Sequence, residues 1–499
     1  MAEGGAAGDT ASQGPLLPVG FARRFGIVAL PDGDAPPRVT AKRDVDVAAL
    51  QEARRVLGRD IALELCSADA LSHLIEESYG AARDGDAMQE IDGLDLALLG
   101  QSDALSDILD DEAQAPVIQL INTLFRQALR RRASDMHIEA MESGLRVRMR
   151  IDGVLQAVLE RTDLPTPMVV SRLKVMAGLN IAETRLPQDG RIALTFGGRS
   201  VDVRVSTMPS KNGERVVLRI LDKSLGLLSL DAVGLEPAQK ETIIRIAKAQ
   251  DGLLLVTGPT GSGKTTTLYS MIDHLNKIGT NILTVEDPIE YDLPGVGQTQ
   301  VNSKIDMTFA KALRAILRQD PDVVLVGEIR DAETAKMAIQ AALTGHLVLS
   351  TLHTNTALGA VTRLRDLGVE PYLLSSTLRG AIAQRLLRRL CANCKAPAPV
   401  DDHTRAMFAR NGVAAPAQIF AAQGCSACGD IGYTGRMGLY EIVENTPDLR
   451  SLIYADGSEA DMIEVATEPS ARLFAAGLRA VAAGRTDLDE VLRVASEAE

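Results

Sequence analysis

The strongest constraint on the fold is a ten-residue stretch, GPTGSGKTTT, running from Gly258 to Thr267. It fits Gly-x-x-x-x-Gly-Lys-Thr and lies between an apolar run, LLLVTG, and a segment of helical period, TTTLYSMIDHLNK. Strand, glycine-rich turn and helix N-terminus, in that order, cradle phosphate. The glycines let backbone N–H groups approach the anion, and the helix terminus adds positive potential. Gly258, Pro259, Thr260, Gly261, Ser262, Gly263, Lys264, Thr265 and Thr266 are therefore candidate nucleotide-binding residues. Lys264 is placed to reach the β- and γ-phosphates of ATP, and the Thr265 hydroxyl to ligate Mg2+. The following helix puts Leu268, Met271, Ile272 and Leu275 on one face.

Around this loop the apolar runs LLLVTG, NILTVED, VVLVGE and HLVLSTLH alternate with helical segments. That is the pattern of a parallel sheet covered on both faces, an α/β core over residues 226–390. Ligands bind where strand tips converge on one edge of such a sheet. VVLVGE ends in Glu328, either a holder of a Mg2+-bound water or a solvated strand end. In TVEDPIE, Glu290 or Glu286 can orient or deprotonate an attacking water; the alternative is an acidic turn around Pro288. TGHLVLSTLHT puts His346 and His353 at the two ends of one strand, as phosphate sensors or as structural histidines.

Four of the five cysteines form CANC and CSAC, separated by thirty residues: Cys391, Cys394, Cys425 and Cys428. Two Cys-x-x-Cys knuckles read as a closed tetrahedral Zn2+ site, structural because no position is left open; a redox pair or core thiols are the alternatives. Cys66 stands alone and suits a packing role.

Outside the core the chain is organised as follows. Residues 1–90 form a small N-terminal domain, loose over the first twenty. In it FGIVAL is a short strand, and SADALSHLIEESYG a helix with Leu71, Leu74 and Ile75 behind Ser67 and Asp69 as caps. Residues 91–113 are an acidic linker. Residues 114–225 are an α+β second domain, with a helix in APVIQLINTLFRQALRRRASD and strands in LRVRMRID, GGRSVDVRVST and ERVVLRIL. Residues 391–430 are the cysteine subdomain, and 431–499 a helical C-terminal segment.

The net charge of −13 and an aromatic content of 3% argue against nucleic acid as a partner, since that needs a basic footprint and stacking platforms. No apolar run reaches the roughly 18–20 residues of a membrane helix, and MAEGGAAGDT is no signal peptide, so a cytosolic protein is expected.

Taken together, GPTGSGKTTT, ILTVEDPIE, LRQDPDVVLVGEIRD, TGHLVLSTLHT and CANC…CSAC occur in an order that resembles the ATPase superfamily of type II secretion and type IV pili. ASDMHIE, RLPQDGRI and VDVRVSTMPS strengthen the resemblance, which covers roughly residues 110–445. The paired knuckles resemble the assembly and export branch of that superfamily, and LPVGFARRFGIV is similar to the type II secretion branch within it. The pilus-assembly branch is the runner-up, and a nucleic-acid motor is the rival of another class. The resemblance implies a RecA-like P-loop motor and a homo-hexamer on the cytoplasmic face of a bacterial inner membrane. Residues 1–90 would dock the cytoplasmic part of an L-component membrane protein, beside an inner-membrane platform protein. It further implies that Glu290 is the catalytic acid with Glu286 in the same box, and that Glu328 is the Walker B acid. His346 and His353 would form the histidine box. Arg204 and Arg219 would close on the nucleotide from the second domain. Arg314, Arg318 and Arg330 would lie near a subunit junction.

Overall fold

The computed structural model describes residues 16–17, 22, 25–32, 35–42, 45, 47–57, 61–67, 70–71, 74, 115–162, 166–196, 199–222 and 227–495. The acidic linker 91–113, Asp69, Ile75 and nearly all of the first twenty residues lie outside them. The chain divides near Asp110 into two compact units.

In the N-terminal unit, β1 (Ile27–Asp32), β2 (Ala35–Lys42), α1 (Val47–Leu57) and β3 (Ala62–Cys66) form a three-stranded sheet with one covering helix. β1 and β2 pair antiparallel, and β2 and β3 parallel, with α1 as the crossover. FGIVAL lacks alternation because β1 is covered on both faces. Ile27 and Ala29 pack with Val39, Ala41, Ala49 and Ala53, while Val28 packs with Ala22 and Leu71. Ser67 caps the turn at Leu71 by accepting from the Ala70 N–H at 3.3 Å. Cys66 packs against the second of these clusters, as a lone thiol should.

The second unit opens with α2 (Ala115–Arg130), β4 (Asp135–Met141), β5 (Gly144–Ile151), β6 (Val154–Arg161), α3 (Thr166–Met176), β7 (Gln188–Phe196), β8 (Arg199–Ser210) and β9 (Gly213–Asp222). The six strands make one sheet in the order β6-β5-β4-β9-β8-β7. Val117, Ile121, Leu124, Phe125 and Ala128 recur at helical spacing along α2 and bury against Met136, Ile138, Val203, Val205 and Leu218. The pleat turns the alternate residues, Asp135, Arg204 and Arg219 among them, to the other face. Arg204 and Arg219 are directly opposite on β8 and β9, and Asp135 is opposite Arg219.

The motor follows: α4 (Pro237–Ala247), β10 (Gly252–Thr257), α5 (Lys264–Leu275), β11 (Ile282–Glu286), β12 (Gly297–Gln300), α6 (Phe309–Ile316), β13 (Val323–Val326), α7 (Ala332–Leu343), β14 (Leu347–Leu352), α8 (Gly359–Asp366), α9 (Pro371–Thr377) and β15 (Leu378–Leu390). An excursion then runs through β16 (Ala396–Ala398), α10 (Asp402–Arg410) and β17 (Ile419–Ala421), and the chain returns as β18 (Tyr433–Glu444). The sheet order is β12-β11-β13-β14-β10-β15-β18, parallel throughout except that β18 runs antiparallel to β15. β10, β13 and β14 are buried at every position, which explains their unbroken apolar runs. On α5, Leu268, Met271 and Ile272 are fully buried and Leu275 packs partly against the same cluster.

The segment 431–499, expected as a helical C-terminal segment, opens with β18, so the motor sheet extends past residue 390. Helices α11 (Pro447–Tyr454), α12 (Glu459–Ala466), α13 (Leu473–Ala482) and α14 (Leu488–Val494) complete the chain. Their anchor is Glu490. Its side chain is wholly buried and accepts from Arg388 on β15 at 2.7 Å and from Arg493 at 2.7 Å. Burial raises the Glu490 carboxyl, but the hydrogen bonds from Arg493 and Arg388 outweigh it and hold the group below the usual carboxylate value. Glu490→Gln keeps the shape and removes the charge from between two cations. It is expected to cost about 2–3 kcal/mol in the denaturation of the C-terminal region. The wild-type advantage is present above the ordinary carboxylate pKa and is lost as pH falls through the lowered one. Equal denaturation midpoints for the two proteins at pH 7 would refute the anchor.

Candidate active site

The loop from Gly258 to Gly263 joins the interior strand β10 to α5. Gly258, Gly261 and Gly263 all have positive φ, at 145°, 81° and 88°. A β-carbon at Gly258 would lie 2.5 Å from the Gln384 carbonyl oxygen, and one at Gly263 would lie 2.8 Å from Gln384 Nε2, so glycine is required at both positions. Pro259 and Thr260 are exposed on the loop, Thr265 is exposed and Thr266 half-buried in the first turn of α5, and Ser262 is buried. The Ser262 Oγ has no hydrogen-bond partner among the described residues. Positive-φ glycines, a helix N-terminus and an unpartnered buried hydroxyl make a cradle that fits a polyphosphate.

Lys264 Nζ donates to the carbonyls of Gly258 at 2.7 Å and Pro259 at 3.2 Å. Burial lowers its pKa to about 8, with Glu328 opposing and Arg385 assisting. A bound phosphate favours the ammonium, so binding takes up a proton once pH passes that value. The affinity for ADP, measured with divalent metal chelated, is expected to be level near neutrality and to fall by up to about tenfold per unit well above pH 8. An affinity that stays level through that range would contradict the assignment.

Three neighbouring strand tips reach the same edge. Leu352 is level with Thr257, Ser350 with Val326, and Val326 with Val285. Glu328, just past β13, is ion-paired with Arg330 and lies 3.6 Å from His353 Nε2, just past β14. Burial and then Lys264 lower the His353 pKa below its ordinary value, against Glu328. Glu290, past β11, is half-buried and meets Arg204 Nη2 of β8 at 3.2 Å. Glu286 is buried, with its carboxylate accepting from Tyr269, from Thr284 Oγ1 at 2.6 Å and from Gln298 Nε2 at 3.1 Å. Burial, then the Glu286 hydrogen bond, raise the Tyr269 phenol strongly. The same hydroxyl lies 3.4 Å from the Glu290 N–H, so Tyr269 ties the two acids' loop to α5.

Of the candidate residues, the structure gathers Lys264, Thr265, Glu328, His353, Glu290 and Arg204 around one sheet edge. Arg219 shares the sheet face of Arg204 but is held by Asp135 at 3.0 Å. His346 goes elsewhere. It precedes β14, and its carbonyl accepts from the Gly252 N–H at the start of β10, which is the opposite edge. Its Nδ1 lies 3.0 Å from the Ala341 carbonyl at the end of α7. A strand enters at one edge and leaves at the other, so the two histidines of TGHLVLSTLHT cannot share a site within one chain. Arg314 pairs with Glu333 at 3.2 Å, and Arg318 donates to the Arg314 carbonyl at 2.8 Å, both on exposed surface. Arg385 was not singled out by sequence reasoning; no motif marks it, and only the pairing of β15 with β10 brings it to the loop.

The four cysteines meet at the base of the β15–β18 excursion. Their Sγ atoms lie within 4.8 Å of one another, at 4.0 Å for Cys391–Cys425 and 3.8 Å for both Cys394–Cys428 and Cys425–Cys428. A tetrahedron of sulfurs about 2.3 Å from Zn2+ has edges of about 3.8 Å, whereas a disulfide is about 2.05 Å. Burial raises the Cys428 thiol, but the N–H groups of Cys425 and Gly432, each 3.2 Å from its sulfur, bring its pKa down to about 6. The donor set suits Zn2+.

A phosphate loop on an interior strand of a parallel sheet, with acids at the adjoining tips, defines a RecA-like P-loop ATPase. Residues 110–493 match the family described as Type II/IV secretion system protein, and residues 16–79 match the model of an N-terminal domain of GSPII protein E. The chain belongs to the Type II/IV secretion system protein family and is an ATP-hydrolysing enzyme. It is 50% identical over 487 residues to the type II secretion system protein E of Pseudomonas aeruginosa, covering 96% of each chain. It is 48% identical over 489 residues to the type II secretion system ATPase E of Vibrio cholerae, covering 96% of this chain and 97% of that one. Among solved structures it resembles the pilus retraction motor PilT, with 27% identity, a TM-score of 0.50 and coverage of 75% of this chain and 96% of that one. The ATPase DotB of Legionella pneumophila, at 20% identity and a TM-score of 0.54 over 75% of this chain and 94% of that one, shares the fold. No helix among the described residues is long and apolar enough to cross a membrane.

Proposed function

We propose that this chain is the hexameric motor of a type II secretion system, whose ATP hydrolysis drives assembly of a pilus-like fibre and export of folded proteins. The observation that carries the reading is the N-terminal match over residues 16–79, which adds a type II secretion element to the shared motor. In this reading residues 1–90 dock the cytoplasmic part of the L-component membrane protein and hold the motor at the inner membrane beside its platform protein. Residues 91–113 are the linker, 114–225 the mobile arginine-bearing domain, and the sheet from β10 to β18 the motor.

Within the site, Lys264 and the loop N–H groups would hold the phosphates, and Thr265 and Glu328 would hold Mg2+. Mg2+, when bound, neutralises charge developing on the transferred phosphoryl group. Glu290 orients the attacking water and accepts its proton. Arg204 restrains Glu290 through their ion pair. Movement of the second domain would release it and bring Arg204, then Arg219, toward the phosphates, where a guanidinium stabilises spreading negative charge. Glu286 positions this loop through Tyr269, and its enclosed carboxylate is unsuited to act on water itself. His353 reports on Glu328 from the next strand, while His346 serves as a helix-end contact.

The test is turnover of the purified full-length chain alone, with duplex DNA, and with the cytoplasmic part of its L-component partner. Stimulation by the partner and not by DNA is expected. Strong DNA stimulation would favour a nucleic-acid motor instead.

A further inference from the structure

Behind the phosphate loop lies a pair of polar residues that the mechanism above leaves unused. Thr257 at the tip of β10 is level with Ala383 on β15, so Gln384 and Arg385 are the next residues beyond it, beside Gly258. Both are buried, at 1% and 9% exposure. Burial lowers the Arg385 pKa, with Glu441 partly compensating, so this cation is retained at a desolvation cost. Its guanidinium is committed to backbone. Nη1 donates to the Gln384 carbonyl at 3.0 Å, and Nη2 to the Asn355 carbonyl at 3.0 Å. Asn355 is two residues past His353.

The other side of the guanidinium faces the loop. A β-carbon at Gly258 would lie 3.2 Å from Arg385 Nη1, so the first residue of the loop packs directly against it. The Gly258 carbonyl in turn accepts from Lys264. Thr257 Oγ1 adds a second tie, donating to the Thr356 carbonyl at 3.3 Å. The Gln384 Oε1 and Ser262 Oγ beside these ties are buried without partners among the described residues, so the wall is polar where packing alone would favour an apolar one.

We propose that Arg385 is a positioning residue for ATP hydrolysis. Its planar fork ties β15, where it flanks Gly258 of the phosphate loop, to the loop after His353, so that seating a nucleotide at Lys264 and setting His353 beside Glu328 become one event. A guanidinium can bridge two carbonyls in fixed geometry; an ammonium on a flexible stem cannot. The proposal rests on the assignment of Glu328 and His353 given above.

The test uses the full-length chain with Arg385→Lys, which keeps the buried charge and removes the fork, and with Arg385→Gln, which removes both. Steady-state ATPase, binding of fluorescent ADP and thermal melting are measured, alone and with His353→Ala. For Arg385→Lys, kcat is expected to fall at least about tenfold while ADP affinity changes less than about threefold. Adding Arg385→Lys to His353→Ala should cost much less than adding it to wild type, because the two act through one loop. Wild-type kcat in Arg385→Lys, or fully additive losses with His353→Ala, would overturn the proposal. If Arg385→Gln does not fold, Arg385→Lys still decides. Glu328→Gln is the independent control: wild-type turnover there defeats the active-site reading itself, whatever Arg385 does.

Discussion

Lys264→Ala is expected to lower kcat/KM for ATP by about 10^2–10^3, the scale of losing one preorganised transition-state contact. The fold should survive. Among the described residues Lys264 Nζ bonds only to carbonyls of its own loop, and the apolar face of α5 lies on the other side of the helix. A melting temperature within a few degrees of wild type is therefore expected alongside the lost turnover. The same substitution leaves Glu328 without the nearby ammonium, which further weakens the site for an anion. Turnover of the variant at the wild-type rate would remove the phosphate loop from the mechanism.

The second large effect concerns the cysteines. Apparent binding energies of structural Zn2+ sites are about 10–16 kcal/mol near neutral pH, as large as the whole stability of an ordinary domain. The excursion between β15 and β18 holds short strands of three residues each and one α-helix, and Val400, Met407, Phe408 and Ile419 pack it against the C-terminal helices, which leaves the cysteine knuckles themselves to the metal. One equivalent of zinc is expected in the purified protein. Chelation, or Cys428→Ser, should open residues 391–430 to limited proteolysis, while the motor sheet stays intact through the long β15–β18 pairing. Metal-free protein that resists cleavage there would show that the four thiols need no ion.

What could be read from sequence divides along physical lines. The phosphate loop and strands β10, β11, β13 and β14 were legible because their signals are local: glycines where φ is positive, and apolar runs where both faces are covered. β15 was not. LRGAIAQRLLRRL is built of residues that favour helices, and it becomes a strand because it fills the space between β10 and β18. Missing β15 hid Arg385, whose role depends on that pairing. β18 was lost for a related reason, since its glycines and mixed burial give no clean period. Glu290 and Arg204 lie 86 residues apart, and no spacing announces their 3.2 Å contact; the family resemblance implied only that Arg204 closes on the nucleotide. Glu286 and Glu290 could not be ranked from TVEDPIE. Burial and the three donors around Glu286 separate them.

The central claim is that hydrolysis at this loop powers protein export. The direct measurement is made in the bacterium that carries the gene, with the gene deleted and restored either as wild type or as Lys264→Ala. Exported enzymes in the culture medium and pili on the cell surface are quantified side by side. The account predicts that Lys264→Ala leaves exported enzymes trapped inside the envelope, with surface pili at wild-type number. Normal export, with pili lost, would contradict it.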